Sequence, residues 1–131
     1  MEIVEEELKL AHEMLVDAKL LLSEDRYRSV ANRVYYAFFH SARALLTLLN
    51  VECKSHAGTI SKFGECVVNK NLIHRRYGKY LNQAFNLREK SDYQVILSID
   101  EDEIENLLEH AEDFINEIEN IVKKLEAEKK E

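Results

Sequence analysis

Proline and tryptophan are absent from this 131-residue chain, glycine occurs three times and cysteine twice. Without proline and with so little glycine, most of the signals that punctuate β-rich proteins are missing, and helix becomes the default expectation. Two cysteines, Cys53 and Cys66, cannot build a disulfide framework of the secreted kind and are expected to be free thiols. No apolar run approaches the roughly 18 residues that cross a bilayer. The start Met1-Glu2-Ile3-Val4-Glu5-Glu6-Glu7 is acidic where a signal peptide is basic, so a cytoplasmic protein with no membrane partner is expected. A Gly-rich phosphate loop, a His-Glu-x-x-His helix and a nucleophile elbow are also missing, and no cofactor is expected. Cys53-x-x-His56 with Cys66 and His74 supplies zinc-type ligands, but at irregular spacing and in a chain long enough to bury its own core. No metal is expected.

What remains is strongly patterned. Hydrophobic residues make up 46% of the chain and charged ones 33%. Val4, Leu8, Ala11, Leu15, Ala18 and Leu22 stand alternately four and three apart, which puts them on one stripe of a first helix ending near Leu22. Ser23-Glu24-Asp25 offers capping side chains for a second helix over about 26–50, whose apolar series is Ala31, Val34, Tyr35, Phe38, Ala42, Leu45 and Leu49. Ser55 is placed to cap a short third helix with Ile60, Phe63 and Val67 inside, ending near Asn69-Lys70-Asn71. A fourth helix has Ile73, Tyr77, Leu81, Ala84 and Arg88 on one side, and Ser91 to Ser98 reads as a connection too short and isolated for a strand.

Asp100 then caps a last helix carrying Ile104, Leu108, Ala111, Ile115, Ile118, Val122 and Leu125, with the stripe of the first helix as its expected partner. The charged tail from about Glu126 is expected to fray. The pattern predicts a single all-α domain over 1–131, an up-and-down bundle of four to five helices.

Charge is distributed unevenly along the chain. The net charge of −7 resolves into −4 over residues 1–22, +6 over 23–98 and −9 over 99–131. All seven arginines and all six tyrosines lie in the central segment with His40, His56 and His74. Guanidinium forks bind phosphate oxygens bidentately and Tyr rings offer stacking faces, a mixture suited to a nucleotide or single-stranded RNA. The competing structural reading pairs these arginines with the acidic first and last helices, where exposed ion pairs are common and weak. An acidic total argues against duplex DNA as a partner.

At about 100° per residue, Ser29, Arg33, Tyr36 and His40 fall in a narrow arc of the second helix, nearly opposite its apolar stripe. Ala37, Ser41 and Ala44 flank that arc and would let another helix approach closely, one from a second subunit being a candidate.

The run Asn32-Arg33-Val34-Tyr35-Tyr36-Ala37-Phe38-Phe39-His40-Ser41-Ala42-Arg43-Ala44-Leu45-Leu46 resembles the signature helix of small prokaryotic HEPN proteins. Lys54-Ser55-His56-Ala57-Gly58 with Phe63, and Leu87-Arg88-Glu89-Lys90-Ser91-Asp92-Tyr93, are similar to that family's later motifs in the same order. The resemblance implies a helical, usually dimeric domain, often paired with a minimal nucleotidyltransferase in toxin-antitoxin pairs. Some members of that family are metal-independent RNases whose Arg and following His have four to six residues between them. Here Arg88 matches the Arg, and Tyr93 stands five residues on where His would be expected. Arg33 and His40 satisfy the spacing in an earlier helix.

The expectation is therefore a nucleotide- or RNA-binding module and homodimer that partners a minimal nucleotidyltransferase, with weak or absent RNase activity. The alternatives are a metal-independent HEPN endoribonuclease and a purely structural interaction protein. Candidate nucleotide or anion ligands are Arg33, Tyr36, His40, His56, Arg88, Asp92 and Tyr93, and Arg88, His40 and His56 are the candidates for catalysis.

Overall fold

The backbone of residues 2–96 and 98–130 is described by a computed structural model. Five α-helices follow one another, α1 (Glu2–Ser23), α2 (Tyr27–Leu48), α3 (His56–Phe63), α4 (Arg75–Tyr93) and α5 (Glu101–Lys130). A π-helical turn, Gly64–Val68, prolongs α3, with the Asn69 N–H on the Gly64 carbonyl at 2.8 Å. No strand occurs among the described residues, and the molecule is an all-α bundle. None of the helices described is long and apolar enough to cross a membrane.

The bundle is built around α2, which buries thirteen residues over most of its circumference. Its neighbours α1, α4 and α5 each bury one face against it, and the contact of α1 with α2 is the most extensive. The expected pairing of α5 with α1 is secondary, because most of the α5 stripe lies on α2. Phe114 of α5 shows why: its ring meets Phe38 of α2 at 4.8 Å, Phe63 at 5.5 Å and Tyr77 at 6.2 Å, forming a buried aromatic centre. Two polar pairs also link α1 to α5, Lys19 with Glu112 and His12 with Glu119.

Helix ends explain two further departures from the sequence reading. Asp25, Asn50 and Asn71 have φ of 56°, 61° and 59°, and each closes a helical segment in the same way. After α1, the Arg26 N–H reaches the Leu21 carbonyl and the Asp25 N–H reaches Leu22. The Val51 and Asn50 amides do the same on Leu46 and Thr47, and the Leu72 and Asn71 amides on Val67 and Val68. Asp25 therefore ends α1 rather than starting α2, whose first residue follows Arg26 without a side-chain cap. Ser55 does cap α3, its Oγ accepting from the Gly58 N–H at 2.9 Å.

The fourth helix starts at Arg75, with the His74 ring accepting from the Arg76 amide, and runs on through Tyr93, three residues into the expected connection. Arg28 of α2 closes its far end by donating to the carbonyls of Ser91, Gln94 (2.9 Å) and Val95 (3.3 Å), a cation on the negative end of the helix dipole. Gly78 lets α4 pass close to the π-helical turn, since a Cβ there would meet a Val68 methyl at 3.1 Å. Asp100 caps α5 as expected, accepting from the Asp102 amide. The segment from Glu126, expected to fray, continues α5 to Lys130, and the Lys129 ammonium donates to the Leu48 carbonyl at 3.2 Å.

Candidate functional site

The site gathers where α2, α3 and α4 meet, with α1 closing one side. Tyr35 is fully buried in α2, yet its hydroxyl lies 2.7 Å from Nδ1 of His56 in the first turn of α3. The His56 ring stacks on Phe39, one helical turn along α2, at 4.4 Å and 30°. From α4, the Arg88 guanidinium lies over the Tyr35 ring at 5.3 Å and the Tyr36 ring at 5.7 Å, each within cation–π range. Asp92, one turn further on, places a carboxylate oxygen 2.9 Å from Arg88 Nε. That Nε is buried and makes no hydrogen bond at the angle the pair adopts. The guanidinium is thus held by two aromatic rings and one ion pair.

His40 extends the cluster toward α1. Its Nδ1 lies 2.7 Å from Glu7 Oε2, and Arg43 approaches the other oxygen of Glu7 at 3.7 Å while its guanidinium carbon sits 5.4 Å from the Phe39 ring centre. Glu7 is 9% exposed, a buried acid that stays paired in keeping with the cost of leaving a charge uncompensated. The carboxylate orients the His40 ring and leaves its other nitrogen available.

Two titrations are displaced here. Burial, outweighing the nearby Arg88 charge, pushes the Tyr35 hydroxyl well above its usual range, so it stays protonated. Burial first, then the charges of Arg88, Arg43 and His40, hold His56 below its ordinary 6.5, so its imidazole is neutral at pH 7. A neutral imidazole beside a fixed guanidinium can accept a proton while the cation holds an anion.

Five of the seven sequence-predicted residues come together, namely Tyr36, His40, His56, Arg88 and Asp92. Arg33 turns instead toward α1, 3.9 Å from Asp17, with Nη1 donating to the adjacent Asn32 side chain. Tyr93 ends α4 and is 82% exposed. Ala37, Ser41 and Ala44 are fully buried within the chain. Among the described residues no three His, Cys, Asp or Glu side chains could together hold a metal ion.

Glu7, Tyr35, Phe39 and Arg43 were missed. Glu7 carried a signal, standing three residues after Val4 and four before Ala11 and so on the buried stripe of α1. Tyr35 and Phe39 belong to the core series and gave no sign that their edges reach a polar cluster.

Comparison with known proteins agrees with the all-α fold. A family profile described as HEPN domain matches residues 4–121. A Methanocaldococcus jannaschii protein carrying the name "putative toxin" is 39% identical over 118 residues, which is 90% of this chain and 87% of that protein. A UPF0332 protein of Thermotoga maritima is 32% identical, covering 94% of this chain and 93% of its own. Another, from Archaeoglobus fulgidus, is 33% identical over 95% of this chain and 98% of its own.

Proposed function

This chain belongs to the HEPN domain family, and from that premise we propose that it is a toxin-type HEPN module whose Arg88 cluster binds a nucleotide or single-stranded RNA. The observation that carries the reading is the Arg88 guanidinium lying over Tyr35 and Tyr36 beside a neutral His56. A planar cation beside the part-exposed rings of Tyr36 and His56 meets both parts of a nucleotide, phosphate by charge-assisted hydrogen bonds and base by contact with the rings. The toxin name of one relative supports a paired role, and a minimal nucleotidyltransferase is the partner we assign, with the module acting as a homodimer in the cytoplasm. Arg88→Ala tests the binding reading, since unaltered affinity for nucleotide and RNA would reject it.

A second reading, metal-independent RNA cleavage, is favoured by the presence of both His40 and His56 in the Arg88 cluster. Neutral His56 takes the 2′-hydroxyl proton, the 2′-oxygen bonds to phosphorus, and the bond to the 5′-oxygen breaks as a second group, His40, supplies that oxygen with a proton. The products are a 2′,3′-cyclic phosphate and a 5′-hydroxyl. Single-stranded RNA incubated in EDTA with the protein and its His40→Ala, His56→Ala and Arg88→Ala variants decides between the readings. Cleavage lost in Arg88→Ala and in a His variant supports the nuclease. Cleavage by none supports binding alone.

A further inference from the structure

Two clefts on this molecule share a wall. The first, about 220 Å³, opens beside Tyr36, Phe39 and His56, and its outer side is formed by Arg43, Cys53 and Lys54. The second, about 500 Å³, starts from the same three residues and runs on to Thr47, Asn50 and Val51 at the end of α2. We propose that the two form one track for single-stranded RNA of two or more nucleotides, with Arg43 and Lys54 holding its phosphates and Thr47 and Asn50 meeting its polar edges. The inference rests on the binding reading above and extends it from the Arg88 cluster along the molecule.

Volume is the first argument. Small-molecule sites occupy roughly 300–1,000 Å³, so the cleft at His56 is too small for such a ligand by itself and the adjoining one is not. A ligand longer than one nucleotide seated at His56 can continue past Arg43 and Lys54, which line both clefts. Charge is the second. In a chain of net charge −7, this wall presents Lys54, exposed with no ion pair among the described residues, and Arg43, which approaches Glu7 at 3.7 Å. Glu52 lines the second cleft and opposes them as a single acid.

The end of α2 also deserves weighing, because a helix C-terminus ordinarily repels phosphate. Here its carbonyls are occupied. Leu45, Leu46 and Thr47 accept from the Leu49, Val51 and Asn50 amides, and Leu48 accepts from Lys129. The aromatic lining at the His56 end, Tyr36, Phe39 and His56, favours a nucleic acid over an acidic peptide.

The test is affinity against length, using fluorescein-labelled 2′-O-methyl oligouridylates of one, two, four and eight nucleotides, which offer no 2′-hydroxyl for attack. Wild-type affinity should rise with length. Lys54→Glu should weaken the octamer about tenfold or more, as expected for a lost charge-assisted contact, with the loss shrinking as the oligonucleotide shortens. In wild-type protein, bound octamer should slow alkylation of Cys53 by N-ethylmaleimide. A Lys54→Glu effect that is the same at every length, or Cys53 alkylation at an unchanged rate, overturns the track while leaving an Arg88-dependent mononucleotide site intact. Equal competition by polyglutamate of matched charge also overturns it, in favour of an acidic peptide. If the wild type binds no length of RNA, or Arg88→Ala weakens none, the underlying reading fails and the track fails with it.

Discussion

The Tyr35 hydroxyl and the His56 Nδ1, 2.7 Å apart, join the buried centre of α2 to the first turn of α3, and the same Tyr35 ring lies beneath the Arg88 guanidinium. A fully buried tyrosine therefore sets the positions of two polar groups from different helices. The hydroxyl stays protonated, because burial raises its pKa more than the Arg88 charge lowers it. The ring nitrogen facing it is neutral at pH 7. The pair is a hydrogen bond between uncharged groups at pH 7, and protonation of His56 would make its Nδ1 the donor and the Tyr35 hydroxyl the acceptor.

Acidification should expose that dependence. His56 titrates below 6.5 when folded, because burial and then the Arg88, Arg43 and His40 charges disfavour its cation, and at its ordinary value when unfolded. Between those two values the unfolded chain holds more proton, so stability rises with pH across the window. The contribution is complete above pH 6.5 and is lost as pH falls through the folded value. Proton NMR of the His56 ring should show a titration below 6.5, moving upward in Arg88→Ala. Urea midpoints should fall with pH less steeply in His56→Gln than in wild type.

Glu7 should prove structural as well as positional. Its carboxylate is buried with His40 at 2.7 Å, so Glu7→Ala leaves the imidazole without its partner and should cost about 1–3 kcal/mol. Glu7→Gln keeps a hydrogen-bond acceptor and should cost less. Chemical denaturation orders the three proteins, and equal stability of all three would contradict the pairing.

Arginines 88 and 33 should separate cleanly. Losing a charge-assisted hydrogen bond to phosphate costs roughly 1.5–3 kcal/mol, so Arg88→Ala should weaken nucleotide or RNA binding about tenfold or more. Arg33 faces Asp17 on the surface of α1, and Arg33→Ala should change affinity less than threefold, roughly the scale of an exposed ion pair. Titration calorimetry on both variants makes the comparison.

The left-handed helix ends offer a test of the fold itself. At φ of 56°, Asp25 holds a conformation that costs an L-residue about 1–2 kcal/mol and glycine almost nothing. Asp25→Gly should therefore be more stable than Asp25→Ala by about 1 kcal/mol. Thermal melts of the two variants read the difference, and a reversed order would place the end of α1 elsewhere.

The spacing of apolar residues was enough to locate five helices, because a helical period of about 3.6 is a local property that each segment carries alone. Ser55 as a cap, the all-α class and the HEPN motifs in α2, α3 and α4 were legible for the same reason, since each is written in contiguous residues. Spacing gives the direction of a side chain around its own helix axis, and says nothing of which neighbour covers that direction. Only packing decided that α5 lies mainly on α2, that α1 brings Glu7 onto His40, that Ala37, Ser41 and Ala44 are buried within the chain, and that Arg33 turns to Asp17. Only packing decided, too, that Arg88 and His56 both reach Tyr35 while Tyr93 faces outward. His56 and Arg88 are 32 residues apart in sequence, and their meeting depends on the buried ring of Tyr35 between them.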